Sequence, residues 1–279
     1  MSRKPPVFPE AAAVAPGWID THAHLTAGRF DEDRDEVIAR AWEWNVRGVL
    51  AIGSGYGVDG NDAAVALAGS EPRILASVGV HPQEARQWDD TLPDRIRRWT
   101  GDQNVVAIGE CGLDYARDYA DFAATQRDVF AAQCALAVEL DLPVIVHTRD
   151  AEADTLAILR EYGIGSRVPG LIHFFTGSLE SARRWLDLGL YLGIPGVVTL
   201  PNAPDLVAAV PHLPLERLVI ETDSPFAAPV PRRGRRNEPA WVVWTGLRVA
   251  ELMGVPPETV AQATTANARN LFDRNGGWA

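Results

Sequence analysis

The sequence predicts a single-domain α/β protein, a (β/α)8 TIM barrel, and three observations favour this fold. Eight short β-branched segments are apolar almost throughout rather than in alternation, as in parallel strands that are covered on both faces. The first begins at residue 18 and the eighth at residue 218, so the intervals average about 29 residues, the length of a βα unit. Polar residues lie at the carboxyl ends of these segments, where barrels carry their working residues. A doubly wound open sheet has the same periodicity and is the competing topology, and the polar residues favour the barrel.

The predicted elements alternate along the whole chain. The strands cover residues 18–19, 48–52, 74–80, 105–108, 143–146, 171–174, 190–194 and 218–220. The helices are the amphipathic segments between and after them. They cover residues 34–45, 59–68, 92–99, 122–140, 153–162, 179–188, 203–210, 238–253 and 256–272, and the last two follow the eighth strand.

The composition is that of a soluble globular protein. Of 279 residues, 47% are hydrophobic and 23% are charged, and no apolar run is long enough to span a membrane. We expect residues 1–16 to form a disordered tail and residues 17–279 to form the barrel. Cys111 and Cys134 lie on different predicted elements and give no disulfide framework, so we expect a cytoplasmic protein. We infer no membrane association and no obligate protein partner.

The histidines indicate where the chemistry lies. His22 and His24 follow the first strand with one residue between them, so in an extended segment they point the same way and can chelate an ion. Two surface histidines in a loop are the alternative. Five of the six histidines lie at predicted strand ends, which favours a metal site, and only His212 has no assigned role.

The predicted ligands are imidazoles and carboxylates, a mixture that suits Zn²⁺ or Mn²⁺ better than Ca²⁺ or Mg²⁺. They are too many for one tetrahedral ion and suit two, with Glu110 as the natural bridge. Each has a structural alternative, as a hydrogen-bonded histidine or as a carboxylate that caps the next helix. The complete set is His22, His24, Glu110, His147, His173 and Asp223.

Arginines supply candidate contacts for an anionic substrate. Arg149 shares the face of His147 if the strand persists, although an ion pair with Asp150 or Glu221 is an equal alternative. The net charge of −11 argues against a broad nucleic-acid-binding surface. A local basic loop follows Asp223, and we expect it to bind a phosphate backbone, with a solvated surface loop as the alternative. Its arginines are Arg232, Arg233, Arg235 and Arg236.

Six motifs occur in order between residue 18 and about residue 272. They are Asp20-Thr-His-Ala-His24, Gly79-Val-His-Pro82, Ile108-Gly-Glu-Cys-Gly-Leu-Asp-Tyr115, Leu142-Pro-Val-Ile-Val-His-Thr-Arg149, Ile172-His-Phe-Phe-Thr-Gly-Ser178 and Glu221-Thr-Asp-Ser-Pro225. This series resembles the TatD-related metal-dependent deoxyribonucleases of the amidohydrolase superfamily. The resemblance implies hydrolysis of DNA, in some members from the 3′ end, in the presence of Mg²⁺, Mn²⁺ or Zn²⁺.

The resemblance also implies a role for each site residue. One ion would be bound by His22, His24 and Asp223, the second by His147 and His173, and Glu110 would be shared. His81 would contact the substrate phosphate. Asp223 would help to deprotonate the attacking water, which makes Glu110 and Asp223 the predicted catalytic carboxylates. Where the family often has a cysteine, this chain has Phe174, which we expect to be a packing residue.

Three function classes remain open at this point. The first is a phosphodiesterase that acts on DNA, which the motifs favour, although the same fold and ligands serve many substrates. The second is a hydrolase of a small amide, lactone or phosphoester, which the acidic net charge favours. The third is a non-catalytic metal-binding protein, which the complete ligand set disfavours.

Overall fold

The computed structural model describes residues 17–278, and the expected tail at residues 1–16 lies outside them. Eight parallel strands form one sheet in the order of the sequence. They are β1 (Trp18–Ala23), β2 (Val46–Ile52), β3 (Ile74–Val78), β4 (Val105–Asp114), β5 (Val144–Arg149), β6 (Gly170–Ile172), β7 (Tyr191–Pro195) and β8 (Leu218–Glu221). A parallel bridge between Ala23 and Ser224 brings the first and last strands together. The (β/α)8 barrel is confirmed.

Helices follow the strands and cover the outside of the sheet. They are α1 (Arg34–Glu43), α2 (Gly60–Ser70), α3 (Leu92–Trp99), α4 (Ala123–Glu139), α5 (Glu152–Tyr162), α6 (Leu179–Leu186), α7 (Pro204–Ala209), α8 (Val242–Met253) and α9 (Pro257–Phe272). The largest deviation from the predicted bounds is at α8, because the turn Pro239–Trp241 before it is a 3₁₀ helix. Across residues 17–278, every helix is too short or too polar for a bilayer crossing.

The apolar core has an outer and an inner part. The outer part lies between helices and sheet and includes Trp18, Phe130 and Trp185. The inner part contains inward-facing strand residues such as Leu50, and it is completed at the start of the strands by Trp278. Trp278 packs on Gly48, where a Cβ atom would come within 2.5 Å of the indole ring. The amino ends of the strands are therefore filled, which leaves the carboxyl ends for a site.

Several strand bounds differ from the expected ones, and four of them differ for reasons that bear on the site. β1 and β4 run several residues further than expected because polar residues continue the ladder: β1 includes His22, and β4 includes Glu110. Both residues are polar although they are buried, so a search for apolar segments could not show that they belong to strands. β3 and β6 end earlier, at Val78 and Ile172, so the residues after them are free to turn into the site.

Candidate metal centre

An open cavity of about 560 Å³ lies at the carboxyl ends of the strands. Its size is within the usual range for small-ligand sites. Residues of seven strands or of the loops after them line it, in a ring of histidines, carboxylates, aromatic residues and one arginine. The lining consists of His24, Gly55, Tyr56, His81, Gln83, Glu84, Glu110, His147, Thr148, Arg149, His173, Phe174, Thr176, Asp223 and Phe226.

The junction of β1 and β8 fixes three of the predicted ligands. The N–H of His24 donates to the carbonyl of Ser224 at 2.8 Å, and the N–H of Asp223 donates to the carbonyl of His22 at 2.9 Å. Asp20 accepts bonds from the Thr222 N–H at 2.9 Å and the Thr222 hydroxyl at 2.5 Å. These contacts bring His22, His24 and Asp223 to one side of the cavity.

Glu110 lies at the centre of the cluster, and its two carboxylate oxygens face different histidines. Oε2 lies 3.3 Å from His22 Nε2 and 3.8 Å from His24 Nε2. Oε1 lies 2.8 Å from His147 Nδ1 and 3.7 Å from His173 Nε2. Each oxygen of Glu110 is therefore placed to share a cation with a different pair of imidazoles.

Two glycines allow β4 to carry Glu110 this close to β5. Gly109 and Gly112 have φ angles of +138° and +140°. A Cβ atom would lie 2.6 Å from the Ile145 carbonyl oxygen at Gly109 and 2.0 Å from the His147 carbonyl oxygen at Gly112. The Gly-Glu-Cys-Gly sequence therefore serves a close approach of two backbones, which only glycine permits.

Two further carboxylates contact the ring nitrogens of His173 and His147. Glu221 Oε1 lies 2.8 Å from His173 Nδ1 and also accepts the N–H of Phe174 at 2.6 Å. Asp114 Oδ2 lies 3.4 Å from His147 Nε2. Partners of this kind fix the orientation of a ligand imidazole. The ring of His173 stacks on that of His22, with centroids 3.4 Å apart.

Burial and neighbouring charges alter the protonation of the cluster. Burial lowers the pKa of His22 to about 4, and repulsion from His173 acts in the same direction. Burial also acts to lower the pKa of His147, but Asp114 and Glu110 outweigh it and raise this pKa to about 9. Burial acts to raise the pKa of Glu110, but the surrounding histidines outweigh it and hold this pKa well below its ordinary value. Glu110 is thus ionised, and His147 carries a proton that a divalent ion would displace.

The donor atoms fit a divalent cation. Two ligand atoms about 2.1 Å from a tetrahedral ion are separated by about 3.4 Å. The imidazole nitrogens of His22 and His24 lie 3.3 to 3.9 Å from oxygens of Glu110 and Asp223. Nε2 of His22, which faces both carboxylates, is buried without a hydrogen-bond partner among the described residues. A cluster of buried bases at this spacing is suited to an ion rather than to a hydrogen-bond network.

The donor atoms form three overlapping groups, in each of which they all lie within 4.8 Å of one another. The groups are His22, His173 and Asp223; His22, His24 and Glu110; and His81, Glu110 and His147. All six predicted ligands belong to at least one group. The groups divide the histidines differently from the implied pairs, because His173 lies against His22 and because His81 lies 3.5 Å from Glu110 Oε1. Neither Glu110 nor Asp223 caps a helix.

The predicted substrate contacts are placed in two different regions. His81 and Arg149 line the cavity. The N–H of Gln83 donates to His81 Nδ1 at 3.2 Å, which leaves Nε2 toward Glu110. Within residues 17–278, Arg149 forms no ion pair with Asp150 or Glu221, and it is exposed.

The four arginines after Asp223 do not line the cavity. Arg236 donates to both carboxylate oxygens of Asp33, at 2.8 and 2.5 Å, and lies over the ring of Phe30. The guanidinium of Arg232 lies 5.2 Å from the ring centroid of Trp241. Arg233 and Arg235 are exposed. Two of the four thus make contacts within the protein, and two face solvent.

Some site residues were not found from the sequence. Phe174, which was expected to be a packing residue, is half-buried and lines the cavity with a φ of +51°, while Phe175 is buried. β6 ends at Ile172, so Phe174 lies in the loop that turns toward the cavity. Glu221 was also missed, although it precedes Asp223 by two positions and lies at the end of a strand. Tyr56 and Phe226 have no sequence signal that distinguishes them from core residues.

A (β/α)8 barrel whose strands end in histidines and carboxylates around one open cavity defines a metal-dependent hydrolase. The model of the TatD-related DNase family matches residues 19–273 of this chain. The chain belongs to that family, so both the expected family and the expected class of enzyme are confirmed.

Relatives and solved structures cover nearly the whole chain. The uncharacterized metal-dependent hydrolase YabD of Bacillus subtilis is 40% identical over 256 residues, 92% of this chain and 99% of the relative. The 3′-5′ ssDNA/RNA exonuclease TatD of Cronobacter sakazakii is 40% identical over 262 residues, 92% of this chain and 98% of the relative. The crystal structure of the TatD homologue YJJV of Escherichia coli K12 has a TM-score of 0.84 and 28% identity, and the match covers 92% of this chain and 98% of that one.

Proposed function

We propose that this protein hydrolyses phosphodiester bonds of DNA, at ends or in single strands, with two divalent metal ions at the centre described above. The observation that carries the proposal is the position of Glu110, with one oxygen toward His22 and His24 and the other toward His147 and His173. The printed name of the relative from Cronobacter sakazakii, a 3′-5′ ssDNA/RNA exonuclease, supports a nucleic-acid substrate.

The proposed metal ligands are those implied by the motifs. His22, His24 and Asp223 would hold one ion, His147 and His173 the other, and Glu110 both. Zn²⁺ or Mn²⁺ suits the imidazoles best, and Mg²⁺ is expected to support activity in assays. When bound, the ions would lower the pKa of the attacking water and neutralise charge on the phosphate oxygens.

The residues of the chain have distinct tasks in this proposal. The side chain of Asp223 is 15% exposed, against 3% for Glu110, so Asp223 is the carboxylate that can reach and deprotonate an incoming water. His81 and Arg149 line the same cavity and donate to the non-bridging oxygens of the phosphate. Glu110 is enclosed by imidazoles and orders the cluster.

The second candidate is hydrolysis of a small amide, lactone or phosphoester. The net charge of −11 favours it, because an acidic surface disfavours binding of a nucleic acid. The cavity of about 560 Å³ also has the size of a small-ligand site. The arginine at the cavity wall, Arg149, favours an anionic substrate.

One comparison of substrates tests both candidates. The metal-loaded protein is incubated with end-labelled single- and double-stranded DNA, and in parallel with lactones and aryl phosphates. We expect cleavage of DNA by the wild type, and loss of both activity and bound metal in Glu110→Ala and His147→Ala. The control His212→Ala removes an exposed histidine outside the cavity and is expected to retain both.

Two outcomes would contradict the proposal. Full turnover by the Glu110→Ala or the His147→Ala variant would show that the substituted residue is not part of the metal centre. Turnover of a lactone or aryl phosphate without cleavage of any DNA would replace the first candidate by the second.

We also propose a cytoplasmic location. Cys111 and Cys134 are buried and unpaired, which fits a reducing compartment. Burial raises the pKa of both thiols, so neither is a reactive thiolate.

A further inference from the structure

Aromatic side chains are exposed at the mouth of the cavity. Among the described residues, the large hydrophobic side chains with substantial exposure are Tyr56 at 40%, Phe226 at 45% and Val230 at 43%. Tyr56 and Phe226 both line the cavity, and Val230 does not. Exposed aromatic groups that lie together beside a site usually contact a ligand.

Both rings lie against the same metal-ligand candidate. The centroid of Tyr56 is 5.5 Å from that of His24, and the centroid of Phe226 is 6.2 Å away, with interplanar angles of 67° and 75°. These T-shaped contacts use only part of each aromatic surface. Both residues line the cavity, so the exposed remainder of each ring borders the space that a substrate would occupy.

Tyr56 is held in place by its own loop. Gly55 and Gly57 flank it with φ angles of +93° and +81°, and the N–H groups of both donate to the carboxylate of Glu84, at 3.1 and 2.5 Å. The tyrosine side chain has only two torsions, and its loop is anchored on both sides of it. The ring therefore presents a pre-formed surface. Glu84 is therefore a positioning residue for Tyr56.

The order of the strands divides the mouth into two sides. Phe226, His24 and Tyr56 follow β8, β1 and β2, which are neighbours in the barrel, so they form a continuous arc. Arg149 ends β5, on the opposite side. The mouth thus has one aromatic side and one cationic side around the metal centre, a combination typical of surfaces that bind single-stranded nucleic acid.

We propose that Tyr56 and Phe226 stack on nucleobases next to the scissile phosphodiester, and that Arg149 contacts the backbone on the other side. This inference rests on the proposed function and adds the residues that contact the bases of the substrate. Bases in a duplex have both faces covered by their neighbours, so stacking on protein rings requires unpaired bases. Stacking on Tyr56 and Phe226 is thus open to the single strands named in the proposed function and closed to bases inside a duplex.

The test compares a labelled oligothymidylate with an oligonucleotide of the same length that carries abasic tetrahydrofuran residues. Tyr56→Leu and Phe226→Leu keep an apolar side chain against His24 but remove the aromatic face. We expect each to weaken binding, measured by fluorescence anisotropy, and kcat/KM for the base-bearing strand by about 5- to 100-fold. The loss for the abasic strand is expected to be several-fold smaller.

Three controls make the result specific. Tyr56→Phe and Phe226→Tyr retain the aromatic rings, so each is expected to bind the base-bearing strand nearly as well as the wild type. Val230→Ala removes an exposed apolar side chain outside the cavity and is expected to change nothing. Bound metal is measured in every variant, because a loss of metal would show that His24 itself has moved.

The outcomes separate this inference from the proposed function. Equal losses for the base-bearing and abasic strands, or no loss for either, would overturn the stacking of bases while the wild type still cleaves DNA. A metal-loaded wild type that cleaves neither strand would overturn the proposed function instead. The anisotropy measurement then still decides whether Tyr56 and Phe226 bind bases.

Discussion

The N–H of Asp223 donates a 2.9 Å hydrogen bond to the carbonyl of His22, across the junction between the last and the first strand. The two residues are 201 positions apart in the sequence, yet both are candidate ligands of one ion. The spacing of their side chains is thus set by the register in which the barrel closes. Any contact that fixes this register also contributes to the metal centre.

The first prediction concerns Asp20, which fixes the register from inside the barrel. It accepts bonds from the N–H and hydroxyl of Thr222 and from the N–H of His22, and it is fully buried. Asp20→Ala leaves these donors without partners, so we expect the free energy of unfolding to fall by about 3 kcal/mol. Denaturation in urea measures it, together with a metal titration that should show weaker binding.

Asp20→Asn is the matched variant, because its amide oxygen can still accept both N–H bonds. We expect it to lose less than half as much stability as Asp20→Ala. An alanine variant with the unfolding midpoint and metal affinity of the wild type would show that the register does not depend on this carboxylate.

The second prediction concerns Glu221, which contacts His173 Nδ1 at 2.8 Å. Glu221→Gln keeps the shape of the side chain but removes the negative charge behind the imidazole. Loss of such a partner typically lowers metal affinity by about 10- to 100-fold. Competition with a fluorescent chelator measures the affinity, and circular dichroism should show an unchanged fold. An unchanged metal affinity would mean that the role of Glu221 is limited to accepting the hydrogen bond from the N–H of Phe174.

The site residues near the strand ends could be predicted from the sequence, although the exact strand bounds could not, because local patterns place these residues directly after apolar runs. His22 and His24 share a face since side chains alternate along a strand, and Glu110 and Asp223 follow apolar runs that are unmistakably strands. The same alternation relates Glu221 to Asp223, so Glu221 could have been found. The contact between Asp20 and Thr222 spans 202 residues and exists only once the barrel has closed.

The arginine loop shows the limit of charge patterns. Four arginines in five positions predict a basic surface, but the sequence does not show which of them have partners. Arg236 pairs with Asp33, more than two hundred positions earlier, and Arg232 lies over Trp241. Only tertiary structure distinguishes these two from Arg233 and Arg235.

The third prediction concerns the packing of α8 on the barrel. A Cβ atom at Gly246 would lie 2.1 Å from Cζ3 of Trp18, which is fully buried. Gly246→Ala therefore overpacks the core, and we expect a loss of about 2 kcal/mol despite the better helix propensity of alanine. In a domain of this size, the melting temperature should fall by about 4 to 8 °C.

Gly69→Ala in α2 is the control for this substitution. No atom lies within 4 Å of a Cβ built at Gly69, so helix propensity acts there without a clash. We expect its melting temperature to equal or exceed that of the wild type. The same response from both glycine variants would argue against a close contact between α8 and Trp18.

The last prediction concerns the two exposed arginines of the loop. If Arg233 and Arg235 each neutralise one phosphate of a bound single strand, counterions are released from the DNA. Each such contact then contributes about −0.7 to the slope of log Kobs against log salt concentration. The double variant Arg233→Ala/Arg235→Ala should then bind DNA more weakly, with a slope smaller in magnitude by about 1.4. Arg236→Ala, which removes the pairing with Asp33, should lower stability and leave the slope unchanged. Fluorescence anisotropy of a labelled oligonucleotide at several salt concentrations gives the slopes, and equal slopes for the wild type and the double variant would exclude this loop from the substrate path.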